Sequence, residues 1–173
     1  MNDYCFREAR TTDLLAIEKI LKDAVRLMLA EGKRQWDENY PRAEHVIADI
    51  RNHNGYVIEA DGNVVSYGAV VFTGEPAYND LQGEWLSDIP YVVVHRLAVA
   101  QSCQRLGIAE RFFYYTEQLA VEKGIGSFRV DTNFDNTRML SLFEKLGFSY
   151  CGKISYQQGE RLAYEKILFP NFK

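Results

Sequence analysis

The sequence predicts a mixed α/β fold, of the α+β type, in a single domain over residues 1–173. Three observations favour this fold class. Apolar residues recur at the three- and four-residue steps of amphipathic helices in some segments, and in the alternating or continuous patterns of strands in others. Apolar residues make up 47% of the chain, which suits the core of one domain of roughly 100–200 residues. No Pro-, Gly- or Ser-rich stretch is long enough to link two domains.

A strand and two helices are predicted first. Tyr4–Arg7 is a short extended segment, and Thr11-Thr12-Asp13 offers the side-chain acceptors that are typical of a helix start. The first helix should end near Gly32, because glycine commonly ends helices. Its apolar residues lie three or four positions apart, at Leu14, Ile17, Leu21, Ala24 and Met28. A shorter amphipathic helix is indicated by Ala43, Val46, Ile47 and Ile50.

A hairpin and a long loop come next. Tyr56–Ala60 and Val64–Phe72 have strand patterns, and Asp61-Gly62 between them favours the positive φ angles of a tight turn. Thr73–Ile89 is irregular, and loops of this length in compact domains are usually functional or mobile.

The predicted centre of the sheet is the β-branched, nearly continuous run Tyr91–Val94, continued by Leu97–Val99. Gln101–Gly107 joins it to a helix that ends at Gly124, with an apolar stripe from Ala109 to Ala120. The last elements are a strand, a helix capped by Gly147 and a closing hairpin, at Phe128–Thr132, Asn136–Leu146, Phe148–Ile154 and Leu162–Leu168.

Composition excludes several classes of protein. Lys and Arg number 20 against 24 Asp and Glu, a net charge of −4, whereas proteins that bind duplex nucleic acid normally carry a basic face. No apolar run approaches the roughly 18–20 residues that span a bilayer, and the first residues, MNDYCFREAR, do not contain the apolar region of a signal peptide, so neither a membrane span nor a signal peptide is predicted. The cysteines, Cys5, Cys103 and Cys151, are odd in number and far apart, so neither a disulfide framework nor a metal site is predicted. We therefore expect a soluble, cytoplasmic protein without a nucleic-acid or membrane partner.

The segment between the central strand and the following helix predicts an anion site. A helix N-terminus presents N–H groups that lack an acceptor within the helix, together with a partial positive charge. Gly107 lets backbone and ligand approach closely, Ala109 is small, and Arg105 adds a full charge. An ordinary strand-to-helix turn with one glycine is the alternative.

Two motifs resemble the GCN5-related N-acetyltransferase (GNAT) family. Gln104–Ala109, QRLGIA, resembles motif A, Q/R-x-x-G-x-G/A, and Leu97–Val99 resembles the strand that precedes it. Asp131–Asn136 and Met139–Phe148 resemble motif B. The N-terminal elements and the closing hairpin also fit, so the resemblance covers nearly the whole chain.

The resemblance implies a mainly antiparallel sheet of six or seven strands, flanked by about four helices, with a splayed central strand pair. It also implies acetyl-CoA as the donor, from which an acetyl group moves directly to a primary amine of a small molecule or a peptide. Asn136 is expected at the cofactor arm, with a plain helix-start role as the alternative. The implied cofactor-binding residues are Leu97, Ala98, Val99, Gln104, Arg105, Leu106, Gly107, Ile108, Ala109 and Asn136.

His95 is the predicted general base. Histidine titrates near neutral pH, and arylalkylamine N-acetyltransferases of the family carry a catalytic histidine at the matching strand position. Alternation places His95 on the same face as Leu97, and a buried structural histidine is the alternative. Phe143 stands where motif B usually has a tyrosine that gives a proton to the departing thiolate. Tyr91, Tyr114 or a water could replace that acid, or none is used, because a thiolate leaves readily.

The resemblance places the acceptor pocket near Trp36, Tyr40, Glu84 and Trp85. Acidic groups beside aromatic rings favour a cationic amine, and simple covering of the core is the alternative role for the rings. The chain is expected to act as a monomer or homodimer. Because of Phe143, a non-catalytic acyl-CoA-binding sensor is an alternative function, and a different phosphate-ligand protein is a third.

Overall fold

A computed structural model describes residues 3–169 of the chain. Over this range no helix is long and apolar enough to cross a membrane. The described residues include short 3-10 turns at Thr11–Asp13, Pro76–Asp80 and Gln101–Cys103. Within residues 3–169 the chain forms four α-helices and eight strands, in the order β1 Tyr4–Glu8, α1 Leu14–Ala30, α2 Ala43–Arg51, β2 Gly55–Ala60, β3 Asn63–Val71, β4 Gln82–Gly83, β5 Tyr91–Val99, α3 Ile108–Glu122, β6 Ser127–Thr132, α4 Thr137–Lys145, β7 Ser149–Tyr156 and β8 Gly159–Ile167.

The described strands form one eight-stranded sheet in the order β1-β2-β3-β5-β6-β8-β7-β4. The pairing is mostly antiparallel, whereas β5 and β6 run parallel with Tyr91–Val93 opposite Ser127–Arg129. The predicted mixed α/β class with about four helices is confirmed.

The sheet has one strand more than the six or seven expected. The extra strand is β4, two residues within the stretch predicted to be irregular, and it pairs with β7. A Cβ at Gly83 would lie 2.0 Å from the carbonyl oxygen of Cys151, and one at Gly152 would lie 2.2 Å from that of Gln82. The two backbones can approach this closely because both residues are glycines and have no Cβ. Strand propensity does not reveal this pairing, because glycine is not a typical strand residue.

The described residues divide into two compact units. The first extends to Val70 and includes His95–Tyr115. Its core is formed by the apolar stripe of α1 with residues of α2 and of β2, β3 and β5, namely Ile17, Ile20, Leu21, Val25, Val46, Val57, Tyr67 and Ala98.

The start of α1 differs from the predicted side-chain cap. The carboxylate of Asp13 accepts a hydrogen bond from the backbone N–H of Arg10 at 2.7 Å and two from the guanidinium of Arg7 at 2.8 and 3.0 Å. Arg7 also pairs with Glu59 at 2.7 Å. The side chain of Asp13 therefore ties β1 to the entry of the helix instead of capping α1.

The second unit comprises Val71–Val94 and the chain from Thr116 onward. One of its apolar clusters contains Tyr78, Val93, Ile154 and Ala163. Glu165 is fully buried, and its carboxylate accepts hydrogen bonds from the N–H of Leu86 and from the hydroxyls of Ser87 and Ser127, each at 2.6 Å. These bonds attach the loop before β5 to strands β6 and β8.

Candidate active site

The predicted anion site is an exposed turn between β5 and α3. After Val99 the chain makes a 3-10 turn, in which the N–H of Cys103 donates to the carbonyl of Ala100 at 2.8 Å. Arg105 and Gly107 then adopt left-handed φ angles of 63° and 74°. The carbonyl of Gly107 accepts a hydrogen bond from the N–H of Arg111 at 3.0 Å, so α3 begins immediately after this glycine.

The geometry of this turn suits a phosphate group. The N–H groups of the first helical turn, including those of Ile108 and Ala109, have no acceptor within the helix. They carry the positive end of the dipole of a 15-residue helix, and Arg105 adds a cation beside them. A Cβ at Gly107 would have no heavy atom within 4 Å, so glycine is needed here for its φ angle rather than to relieve crowding within the protein.

Strand β5 contains a left-handed residue in its middle. Arg96 has a φ of 56°, and we refer to this feature as the Arg96 kink. It separates His95 from Leu97 and interrupts the regular alternation of side chains along the strand. Regular alternation therefore does not by itself place His95 and Leu97 on one face, and their shared face stays a prediction. His95 itself is half-buried, and its Nε2 atom is shielded from solvent.

The side chain of Arg96 is held by a buried cluster that sequence reasoning missed. Its Nη2 atom lies 2.5 Å from Oδ1 of Asp49, and its Nε atom lies 3.0 Å from Oδ2. Asp49 also accepts a hydrogen bond from the hydroxyl of Tyr67. Asp49 lies three residues after the core residue Val46 on α2, and Arg96 lies inside an apolar strand. A charge at each of these apolar positions is the signal that could have indicated the pair, because buried charges are normally paired.

Within this cluster the pKa values of Arg96 and Tyr67 are both raised, so both side chains keep their protons. Burial lowers the pKa of Arg96, but Tyr40 and Asp49 raise that pKa by more, so the guanidinium stays charged. Burial raises the pKa of Tyr67, and the neighbouring Asp49 carboxylate raises it further. Tyr67 is therefore a hydrogen-bond donor to a charged ion pair.

Two of the predicted acceptor residues lie in the first unit. Trp36 is buried in its apolar core with 7% of its surface exposed. Tyr40 packs against the same core, and its hydroxyl accepts a hydrogen bond from Nη1 of Arg96 at 2.9 Å. The contacts of Trp36 are those of a core residue, whereas Tyr40 is connected directly to the Arg96 kink.

The other two, Glu84 and Trp85, lie in the second unit. Glu84 is exposed. Trp85 is half-buried: its Nε1 atom donates to the carbonyl of Tyr78 at 3.1 Å, and the guanidinium of Arg129 lies 4.3 Å from its ring. These contacts hold the loop before β5 in place. Arg129 and Tyr78, the buried partners of Trp85 in these contacts, were not identified from the sequence.

The second unit also contains an open cavity of about 540 Å³. Its walls include the carboxylates Glu75 and Asp88 and the rings of Phe72 and Tyr91. The hydroxyl of Tyr91 accepts a hydrogen bond from the N–H of Glu75 at 3.2 Å. Tyr91, one of the candidate acids, therefore supports the wall of this cavity.

Asn136 caps α4. Its Oδ1 atom accepts a hydrogen bond from the N–H of Met139 at 3.4 Å, and its Nδ2 atom donates to the hydroxyl of Thr132 at 3.1 Å. The alternative role of a helix-start residue is thus present in the structure. Its predicted contact with the cofactor arm stays a prediction.

Phe143 lies in the apolar interior of the second unit, with 1% of its surface exposed. Its ring centroid lies 5.6 Å from that of Phe148 and 5.2 Å from that of Tyr164. Tyr114, another candidate acid, is 56% exposed on α3. The packing of Phe143 accounts for an aromatic residue at this position without any catalytic role.

Comparisons with known proteins assign the family. Residues 17–148 match the acetyltransferase (GNAT) family. A GNAT-family acetyltransferase of Streptococcus agalactiae is 32% identical, with a TM-score of 0.85 over 95% of each chain. No curated protein matches the chain by sequence.

Two more distant structures share the fold. The ribosomal-protein-alanine N-acetyltransferase of Brucella melitensis is 22% identical, with a TM-score of 0.69 over 94% of this chain and 99% of that chain. Salmonella typhimurium YncA, solved with its cofactor acetyl-CoA, is 16% identical, with a TM-score of 0.70 over 98% and 96% of the two chains. Together with the family match, the motif A turn at the start of α3 and the eight-stranded mixed sheet lead to one assignment. The chain belongs to the GNAT acetyltransferase family, and its cofactor is acetyl-CoA.

Proposed function

We propose that this protein is a cytoplasmic N-acetyltransferase, acting as one domain over residues 1–173, that acetylates a primary amine of a small molecule or a peptide. The observation that carries the proposal is the exposed turn with left-handed Arg105 and Gly107 at the N-terminus of α3, within a family match to acetyltransferases. The transfer to nitrogen is supported by the Brucella relative, which is an N-acetyltransferase of a protein alanine. The free thiols of Cys5, Cys103 and Cys151 suit a reducing compartment.

In this proposal the motif A turn holds the phosphates of the cofactor. The backbone N–H groups from Arg105 to Ala109 donate to phosphate oxygens, and the side chain of Arg105 supplies the cation. Gln104 and Leu106 are exposed members of the same turn, and Ile108 anchors it because its side chain is buried. The backbone of Leu97–Val99 in β5 binds the pantetheine arm.

Asn136 has a supporting role in the proposal. Its side chain fixes the first turn of α4 through Met139 and Thr132. We propose that from this helix start it also contacts the cofactor arm.

The bound thioester supplies the acetyl group, and the protein must supply a neutral amine. An amine of the lysine type has a pKa of roughly 10.4, so near pH 7 only about one molecule in a few thousand is neutral. We propose that the imidazole of His95 accepts the proton which the amine loses. His95 is half-buried in β5 and its Nε2 atom is shielded from solvent, which suits a base that must take its proton from the amine and not from bulk water.

The acceptor is proposed to be cationic before it is deprotonated. Glu84 is an exposed carboxylate beside Trp85, and Tyr40 presents an aromatic ring and a hydroxyl in the first unit. Carboxylates and aromatic faces both attract ammonium groups. Because Trp36 is buried, we propose that it acts at the acceptor site indirectly, by packing against the residues around it.

The proposal is tested by mixing purified protein with acetyl-CoA and a panel of primary amines and peptides. Free thiol and acetylated amine are measured together. We expect thiol release that depends on the amine and matches the acetylated product. If calorimetry detects no binding of acetyl-CoA, the proposal is wrong.

An acyl-CoA sensor without turnover is the second candidate, and the buried phenyl ring of Phe143 favours it because this ring cannot donate a proton. Tight binding of acetyl-CoA, with no transfer to any amine of the panel, would support the sensor over the enzyme. Restoring the hydroxyl with Phe143→Tyr provides a further comparison, since an active enzyme that needs no acid should gain little from it.

A further inference from the structure

Arg96 has an unusual backbone for its residue type. It lies in the middle of a nine-residue strand, and its φ of 56° is in the left-handed region. This conformation is unfavourable for residues with a Cβ, whereas glycine adopts it readily. Strained residues of this kind persist only where their surroundings hold them. The presence of arginine rather than glycine therefore indicates that the side chain has a task at this position.

The surroundings of the Arg96 side chain are sufficient to hold it. The side chains of Arg96 and Asp49 are 15% and 8% exposed, and the guanidinium forms two parallel hydrogen bonds with the carboxylate. Tyr67 on β3 donates to the same carboxylate, and the hydroxyl of Tyr40 accepts from Nη1 of Arg96. Groups from α2, from β3 and from the segment between α1 and α2 thus meet at the Arg96–Asp49 ion pair. A planar fork bound on two edges cannot rotate without breaking bonds to both partners.

We propose that Arg96 and Asp49 are positioning residues for acetyl transfer: their ion pair holds the Arg96 kink and thereby fixes the backbone that carries His95 and Leu97. This inference rests on the proposed function, because His95 is its general base and Leu97 binds its cofactor arm. Tyr40 is a proposed acceptor residue, so the same guanidinium also connects the acceptor side to the kinked strand.

A purely structural ion pair exists in the same unit and serves as a control. Arg7 is 18% exposed and pairs with Asp13, which is 9% exposed, and with Glu59. Like Arg96, it binds one carboxylate through two nitrogen atoms. Its strand, β1, contains no proposed site residue. Loss of either pair should weaken folding, but only loss of the Arg96 pair should affect the chemical step.

The experiment compares Asp49→Asn, Arg96→Ala and Arg96→Gly with Arg7→Ala, at a temperature where all four variants are folded. The quantities measured are kcat, KM for acetyl-CoA and the coupling constant that reports φ at residue 96. For Asp49→Asn and Arg96→Ala we expect kcat to fall by about 10- to 100-fold, because misplacement by about 1 Å can cost that much. Arg96→Gly should recover several-fold over Arg96→Ala, because glycine adopts the kink without strain. Arg7→Ala should keep kcat within about twofold of the wild type.

The inference is overturned if Arg96→Ala lowers kcat no more than Arg7→Ala, or if the glycine variant is no better than the alanine variant. It is also overturned if Asp49→Asn leaves both kcat and the coupling constant at residue 96 unchanged. Failure of the proposed function has a different signature, in which the wild type neither binds acetyl-CoA nor releases thiol. That result removes the catalytic role, while the coupling constant still shows whether Asp49 holds the kink.

Discussion

The carbonyl oxygen of Gly107 accepts a hydrogen bond from the N–H of Arg111 at 3.0 Å, and this bond places a left-handed glycine at the point where α3 begins. Gly107 is therefore important for two different properties, the stability of the fold and the proposed binding of the cofactor. The glycine shapes the helix start, and the space beside its Cα is open toward the proposed phosphate site. Substitutions in this turn therefore affect stability and cofactor binding by different mechanisms.

Gly107→Ala should reduce both the folding stability and the affinity for acetyl-CoA. The left-handed φ of 74° costs an alanine about 1–2 kcal/mol of folding stability. The added methyl group would also occupy the open space, so we expect the Kd for acetyl-CoA to rise by about tenfold or more. Thermal unfolding and calorimetry measure the two effects. Gly62→Ala is the matched control, because Gly62 has a φ of 78° and equally open space; it should lose similar stability and leave the Kd unchanged.

Arg105→Gly should weaken the binding of acetyl-CoA while it changes the folding stability only slightly. Arg105 is left-handed with a φ of 63°, so glycine relieves strain, and stability should change by less than about 1 kcal/mol in either direction. Loss of a charge-assisted contact should raise the Kd for acetyl-CoA by about 10- to 100-fold. The salt dependence of binding should also become weaker. Equal affinity of the variant and the wild type at low salt would exclude Arg105 from the phosphate site.

Asn136→Ala should destabilise the protein by about 0.5–2 kcal/mol, because the bond from the N–H of Met139 to its side chain is lost. Asn136→Ser should recover most of this stability, since serine also caps helices. Cofactor affinity then distinguishes two roles. If Asn136 acts only through the helix start, serine restores the Kd for acetyl-CoA along with stability; a Kd that stays high in the serine variant indicates direct contact with the cofactor.

His95→Gln should lower kcat/KM by about 10²–10⁴-fold near neutral pH, because the general base is lost. The difference from the wild type should shrink as the pH rises and the amine deprotonates in solution. The pH–rate profile measures this, with the Kd for acetyl-CoA as the control for folding of the site. Parallel profiles for the two proteins across the whole pH range would contradict a role of His95 as the base.

Asp13→Asn should change how stability depends on pH. The hydrogen bonds from Arg7 hold the pKa of Asp13 below its usual value of 3.8, opposed by burial. A carboxyl with a lowered pKa in the folded state contributes stability above its unfolded pKa and loses that contribution as the pH falls through the folded pKa. The variant should therefore be less stable than the wild type at pH 7, by about 1–3 kcal/mol, and the difference should narrow below about pH 3.8. Urea unfolding at several pH values measures both; a gap that stays constant down to pH 2 would be inconsistent with this linkage.

The elements were largely predictable because each had a local signal. The apolar stripe of α1, the Asp61-Gly62 turn of the β2–β3 hairpin and the glycine that ends the motif B helix all act within a few residues. Strand β4 was missed because its pairing depends on two glycines, Gly83 and Gly152, that are far apart in the chain. The burial of Trp36 could not be predicted, because an aromatic side chain in a loop has the same sequence pattern whether it is buried or exposed; its role at the acceptor stays a prediction.

The family and the cofactor could be predicted from the sequence alone, and so could the place of the proposed phosphate-binding turn, because all three depend on contiguous residues such as Gln104–Ala109. The backbone conformation of β5 at Arg96, by contrast, depends on contacts between residues that are distant in the chain. The left-handed Arg96 is held by Asp49, which is 47 positions away in the chain. The alternation of apolar and polar residues along β5 does not indicate this contact. A backbone conformation that is locally unfavourable persists when distant groups compensate for its cost, so its presence follows from packing and not from the residues next to it.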